Sequence, residues 1–194
     1  FEFIHHGSFS QSQTIVEKTW KTVYGELYKK AGAPVLDEAA RDKFVEKHIF
    51  GCLDKAFESN SDLIQASKPA KIMINGKSYD NLYQIMEKIK NHPKAWIDIA
   101  TFSHSDEVHG DLAIDNVLLS PHTLKPVIID PAPDGNIING PVFDLGKLSQ
   151  SFYCGYEFLF RDNEKVEFKA NAINYRDHIS ERYTRMWHFL YDEL

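Results

Sequence analysis

The chain has 194 residues, a net charge of −6, 43% hydrophobic residues and 26% charged ones. That length supports one compact unit with a real core and no need of disulfides or structural metal. The composition excludes wholesale disorder and leaves no window with the apolar length of a membrane helix, and the acidic balance excludes a general nucleic-acid binder, which needs a basic face. An anionic ligand would need a local device such as a metal ion.

Two cysteines, Cys52 and Cys154, sit within apolar helical patterns and read as small buried thiols in a reducing compartment. The start, Phe1-Glu2-Phe3-Ile4-His5-His6, has neither a basic segment nor a long apolar one, so no signal peptide is expected and the cytoplasm is the expected location. It lacks a methionine and opens in a strand-like run, which points to a fragment of a longer protein. His5 and His6 read as loop residues.

In chain order, a short strand over 1–4 precedes a helix in which Val16, Trp20, Val23, Leu27 and Ala31 recur at helical spacing until Gly32 and Pro34. A second helix follows Asp37, with Phe44, Val45, Ile49, Cys52, Leu53, Ala56 and Phe57 on one side. Residues 72–79 read as a hairpin inserted between helices, because Asn75-Gly76 suits the positive φ angles of a two-residue turn. A helix over 81–90 buries Leu82, Ile85, Met86 and Ile89. Val117-Leu118-Leu119 and Val127-Ile128-Ile129 then read as a small hairpin of buried strands. Two helices close the chain, one carrying Leu145, Leu148, Phe152 and Tyr156, the other Tyr175, Ile179, Tyr183, Met186, Trp187 and Leu190. The stripe Tyr183, Trp187, Tyr191 reads as core or helix interface. The fold class expected is α+β and mostly helical, with a small central β-hairpin.

The chemistry concentrates in residues 108–135. His109-Gly110-Asp111 is followed by Asn116, then by the strands, then by Asp130-Pro131, so an Asp, an Asn and a second Asp bracket one hairpin. Phosphoryl transfer needs a group that accepts a hydroxyl proton and cations that neutralise phosphate oxygens. Magnesium takes hard oxygen ligands and keeps several waters, so one carboxylate, one amide and the nucleotide phosphates suffice. Asn116 and Asp130 suit that need, and Asp111 suits the base.

This segment resembles the catalytic loop and metal-binding segment of the protein-kinase-like superfamily in its small-molecule branch, which includes aminoglycoside phosphotransferases and choline kinases. The five-residue interval from Asp111 to Asn116 and the Asp after apolar strand residues, Asp130 after Ile129, carry the resemblance. Pro131 departs from the Phe-Gly of protein kinases and argues against that branch. Phe143-Asp144-Leu145-Gly146-Lys147-Leu148 resembles the family's aspartate at a helix start, which braces the catalytic loop; such an aspartate also suits free helix N-terminal donors. With Gly155-Tyr156, the closest similarity is to phosphotransferases of bacterial capsule and surface-polysaccharide biosynthesis.

The resemblance implies that 1–194 is the C-terminal lobe of a kinase-like fold, with a hinge strand near 1–4 and an N-terminal lobe upstream. No Gly-x-Gly run or strand lysine of that lobe is found. It also implies ATP and Mg2+ as cofactors, Asp111 as catalytic base, Asn116 and Asp130 as metal and nucleotide ligands, and a small hydroxyl-bearing acceptor such as a sugar or amino alcohol.

A lone His-Gly-Asp is as well explained by a turn. Asp111, Asn116, Asp130 and Asp144 in order, with strands between, favour a site. His109 is expected to pack under the loop and bond backbone, Asp115 to be a solvated carboxylate that could support Asn116, and Asp134 to form a turn or line the acceptor pocket. Two alternatives stay open. One is a catalytically silent kinase-like binding module. The other is a metal-dependent phosphoesterase using His104, Asp106, Glu107, His109 and Asp111.

Overall fold

The computed structural model describes residues 6–120, 122–132, 139–160, 166–175 and 180–192. The strand expected over 1–4, with His5, and Ile179 lie outside the described residues. The architecture is α+β, predominantly helical with small β-sheets. Where the length suggests one unit, the chain divides into two: one takes the described residues within 1–34, 103–162 and 178–194, the other those within 35–102 and 163–177.

The chain begins with α1 (Phe9–Glu26), started by a capping box in which Ser8 accepts from the Gln11 amide and the Gln11 side chain accepts from the Ser8 amide. This helix stops at Glu26 rather than at Ala31. Leu27 donates to Val23, and the chain then turns so that Ala31 donates to Tyr28, whose side chain is drawn into the core. Leu27 and Ala31 still pack on that core, so their apolar spacing reported burial correctly but not helix.

The second unit opens with β1 (Val35–Leu36) and α2 (Glu38–Phe44), whose N-cap Asp37 accepts from the Ala40 amide at 2.9 Å. A π-helical stretch, Val45–Phe50, joins α2 to α3 (Gly51–Ser59). A π turn inserts a residue into the helical repeat and rotates the side chains beyond it about the axis. Cys52, expected inward, is exposed, and Cys154 is exposed beyond a helix end. Both are free thiols, which corrects the expectation of buried ones. Next come α4 (Ser61–Ser67), β2 (Lys71–Ile74) and β3 (Lys77–Asp80), a hairpin turned by Asn75 at φ 48° and Gly76 at φ 77°. Then α5 (Leu82–Lys90) starts on the Asn81 cap, and α6 (Pro93–Asp98) carries Pro at its first turn. Last in this run, β4 (Thr101–Phe102) pairs antiparallel with β1.

Returning to the first unit, a 3-10 turn, Ile114–Asn116, leads into β5 (Val117–Leu119), which pairs antiparallel with β6 (Pro126–Ile128) in the register Val117↔Ile128. The helix α7 (Pro141–Phe152) follows, then a 3-10 segment, Tyr156–Phe160, where continued helix was expected. Two unforeseen strands, β7 (Glu167–Lys169) and β8 (Ala172–Asn174), belong to the second unit, where β8 pairs parallel with β2 and gives a sheet of order β3-β2-β8-β7. Tyr175 follows β8 instead of joining a helix. The chain ends in α8 (Glu181–Asp192).

The core of the first unit joins Ile15, Val16 and Val23 of α1 to Leu148 and Phe152 of α7 and to Tyr183, Met186 and Leu190 of α8. Leu112, Ile114 and Val117 insert between them and are nearly or fully buried. The loop that precedes β5 is therefore nailed into the core by its own apolar residues, and truncating Leu112 to Ala would cost about 2–5 kcal/mol. Of the aromatic stripe, Tyr183 is core, whereas Tyr191 is exposed. In the second unit the buried Arg41 guanidinium lies 4.0 Å over the Trp96 ring and donates to the Trp96 carbonyl at 3.1 Å. Among the described residues no helix is long and apolar enough to cross a membrane.

Candidate functional site

The loop 109–113 is built around a fully buried carboxylate. Asp144, in the first turn of α7, leaves the amides of its own helix alone and reaches the loop: Oδ2 accepts from the His109 amide at 2.8 Å and Oδ1 from the Gly110 amide at 2.7 Å. A third donor, the Tyr28 phenol, reaches Oδ2 at 2.6 Å. Burial and then the charge of Asp144 push that phenol far above its ordinary range, so it stays a donor. Gly110, at φ 80°, gives the reversal that lets two successive amides face one carboxylate.

His109 fastens the other half. Its Nδ1 accepts from the Asp111 amide at 3.2 Å, so the ring proton sits on Nε2, which donates to the Ile129 carbonyl at 2.8 Å. The His109 carbonyl accepts from the Ala132 amide at 3.0 Å. The turn containing Asp130 is thus clasped on both flanks to the loop containing Asp111.

Asn116 closes the arrangement. Its Nδ2 donates to the Asp111 carbonyl at 2.7 Å and approaches Asp111 Oδ2 at 3.4 Å, while its backbone carbonyl accepts from the Ile129 amide at 3.0 Å. With Nδ2 so used, the amide oxygen has no donor among the described residues. Asp130 is exposed, sits at φ 57°, and has no cation or hydrogen-bond donor among the described residues. Asp111 is half-exposed and pairs through Oδ1 with Lys147 Nζ of α7 at 2.8 Å.

Asp111, Asn116, Asp130, His109 and Asp144 therefore share one constellation, held by backbone and side-chain hydrogen bonds. Asp134 lies outside the described residues. Asp115 is exposed on the 3-10 turn. Two hard oxygen donors without partners, the Asn116 amide oxygen and the Asp130 carboxylate, suit magnesium by chemistry. The alternative cluster does not assemble: among the described residues no group of three or more His, Cys, Asp or Glu is placed to hold a metal. Glu107 is instead paired with Lys30 at 2.7 Å, and both ring nitrogens of His109 are spent on backbone.

The hairpin adds a surface. Leu118 and Val127 are cross-strand partners with half their area exposed, and Ile129 continues their face, whereas Val117 and Ile128 turn to the core. Clefts of about 310 Å³, 490 Å³ and 510 Å³ in this unit are lined by neither Asp111, Asn116 nor Asp130, though His109 and Pro131 line the second.

Sequence reasoning missed Lys147 and Tyr28. Lys147 lies three residues after Asp144 and so shares its helix face, a legible spacing. Tyr28 is 116 residues from Asp144 and leaves no local signal. No protein-family model, no curated protein and no solved structure matches this chain.

Proposed function

We propose that the chain is the C-terminal lobe of a kinase-like fold and carries the catalytic half of an ATP- and magnesium-dependent phosphotransferase acting on a hydroxyl of a small metabolite. The observation that carries the reading is the clasp. Asp144 and His109 hold Asp111 beside Asn116 and tie the Asp130 turn to the same loop, while the Asn116 amide oxygen and the Asp130 carboxylate have no partner among the described residues.

In this reading the acceptor hydroxyl oxygen forms a bond to the terminal phosphorus of ATP, and the bond from that phosphorus to the bridging oxygen breaks, its electron pair leaving with ADP. The hydroxyl proton goes to Asp111. Asn116 and Asp130 would hold magnesium, which when bound supplies positive charge to the phosphate oxygens. The flat apolar face of Leu118, Val127 and Ile129 offers a planar base its floor. The cytoplasm, where ATP is abundant, is the matching location.

The test is ATP consumption by the full-length protein with magnesium across a panel of sugars and amino alcohols, alongside Asp111→Asn. Stimulation by one acceptor class, lost in the variant, supports the reading. Wild-type and variant rates that coincide for every acceptor refute it.

A further inference from the structure

Lys147 has no part in the mechanism so far, yet its ammonium is the cation nearest the proposed base. Nζ lies 2.8 Å from Asp111 Oδ1 and 3.3 Å from Gln150 Oε1, and 5.9 Å over the Tyr156 ring. The loop does not need this pair to hold its shape, because Asp144 already fixes it through two amides and Leu112 is buried beneath it. Nor does stability account for it, since an ion pair whose partners are 26% and 44% exposed adds little to folding. The segment Leu112 to Asp115 contains no cation of its own.

We infer that Lys147 is a positioning residue for Asp111, an assignment that rests on the phosphotransferase reading above. Asp144 and Lys147 stand three residues apart on one helix, so the group that anchors the loop and the group that grips the base move as one rigid piece. With Oδ1 held by the ammonium, rotation of the carboxylate is stopped and Oδ2 is turned toward Asn116, 3.4 Å from its Nδ2. That long contact leaves Oδ2 lone pairs for the acceptor hydroxyl. Lys147 thus selects which oxygen takes the proton.

The experiment uses the full-length protein with magnesium ATP as probe, first with water and then with glucose and ethanolamine as acceptors. Lys147→Met, Lys147→Arg, Lys147→Ala and Asp111→Asn are compared with wild type. Misplacing a reacting group by an ångström costs about 100-fold, so Lys147→Met should lose about that factor in kcat with KM for magnesium ATP and the thermal melt unchanged. Lys147→Arg should recover part of the rate, and methylammonium should rescue Lys147→Ala. If Lys147→Met keeps kcat while Asp111→Asn abolishes turnover, the positioning role is wrong and the phosphotransferase reading stands. A raised KM with kcat intact makes Lys147 a nucleotide-binding group, and lost rate with a lowered melt and no amine rescue makes it structural; either overturns the inference. A wild type that consumes no ATP with any of these acceptors, or an Asp111→Asn variant equal to wild type, removes the underlying reading and the inference with it.

Discussion

The Tyr28 phenol donates to Asp144 Oδ2 at 2.6 Å, joining the turn after α1 to the first turn of α7 across a carboxylate that also carries two loop amides. Removing a hydrogen bond to a buried charge costs about 1.5–3 kcal/mol. Tyr28→Phe should lose about that amount in denaturant unfolding. The phenol's folded-state pKa is raised, so its contribution is full below the unfolded value of 10.0 and declines as pH climbs beyond it. The stability gap between wild type and Tyr28→Phe should therefore narrow above pH 10.

Asp144→Asn should cost more than Tyr28→Phe, about 3 kcal/mol or above, because an amide offers an N–H group to amides that need an acceptor. Hydrogen exchange should quicken at the His109 and Gly110 amides before the rest of the unit. Protection factors at those amides equal to wild type would reduce Asp144 to an ordinary helix residue.

Asp111 and Asp130 should fail in different ways. Asp111→Asn should lower turnover by about 100-fold or more, with magnesium-nucleotide affinity nearly intact, since a general base contributes about that factor without holding the phosphates. Asp130→Ala should weaken nucleotide binding and turnover together, with part of the loss recovered at raised magnesium. Calorimetric titration beside steady-state rates separates the two patterns.

Glu157 gives a pH signature. It is buried, and no hydrogen bond of ordinary length satisfies either oxygen. Burial raises its pKa above the ordinary 4.5, the charge of Asp115 adds to the rise, and the nearby Ser151 hydroxyl and Ile114 amide oppose it only in part. The folded state then holds a proton that the unfolded state gives up, so stability falls as pH rises above 4.5 through the folded value. Glu157→Gln removes that slope. Its melting temperature relative to wild type should increase with pH across this range, and parallel curves for the two proteins would show that Glu157 does not carry the proton.

Much of this site was readable in advance because its residues act at short range. Asp111 and Asn116 flank one core-anchored loop, and the short apolar runs 117–119 and 127–129 located the hairpin that separates Asn116 from Asp130, although Leu118, Val127 and Ile129 are exposed where buried strands were expected. What escaped was set by distance or by local irregularity. Tyr28 meets Asp144 only after folding, β8 joins β2 across about a hundred residues of chain, and a π-helical stretch at Val45–Phe50 interrupts the regular helix that the spacing indicated. Lys147 was within reach, since its interval from Asp144 on a helix already placed both on one side.

The backbone at Asp130 carries a consequence of its own. A φ of 57° is tolerated by glycine and, among side chains, best by short ones such as Asn and Asp. Shape and charge are therefore demanded of a single position. Glutamate keeps the charge and suits the bend less well, glycine keeps the shape and loses the carboxylate, and asparagine keeps the shape and an oxygen but no charge. Three substitutions at one residue can thus measure separately what the bend contributes and what the anion contributes.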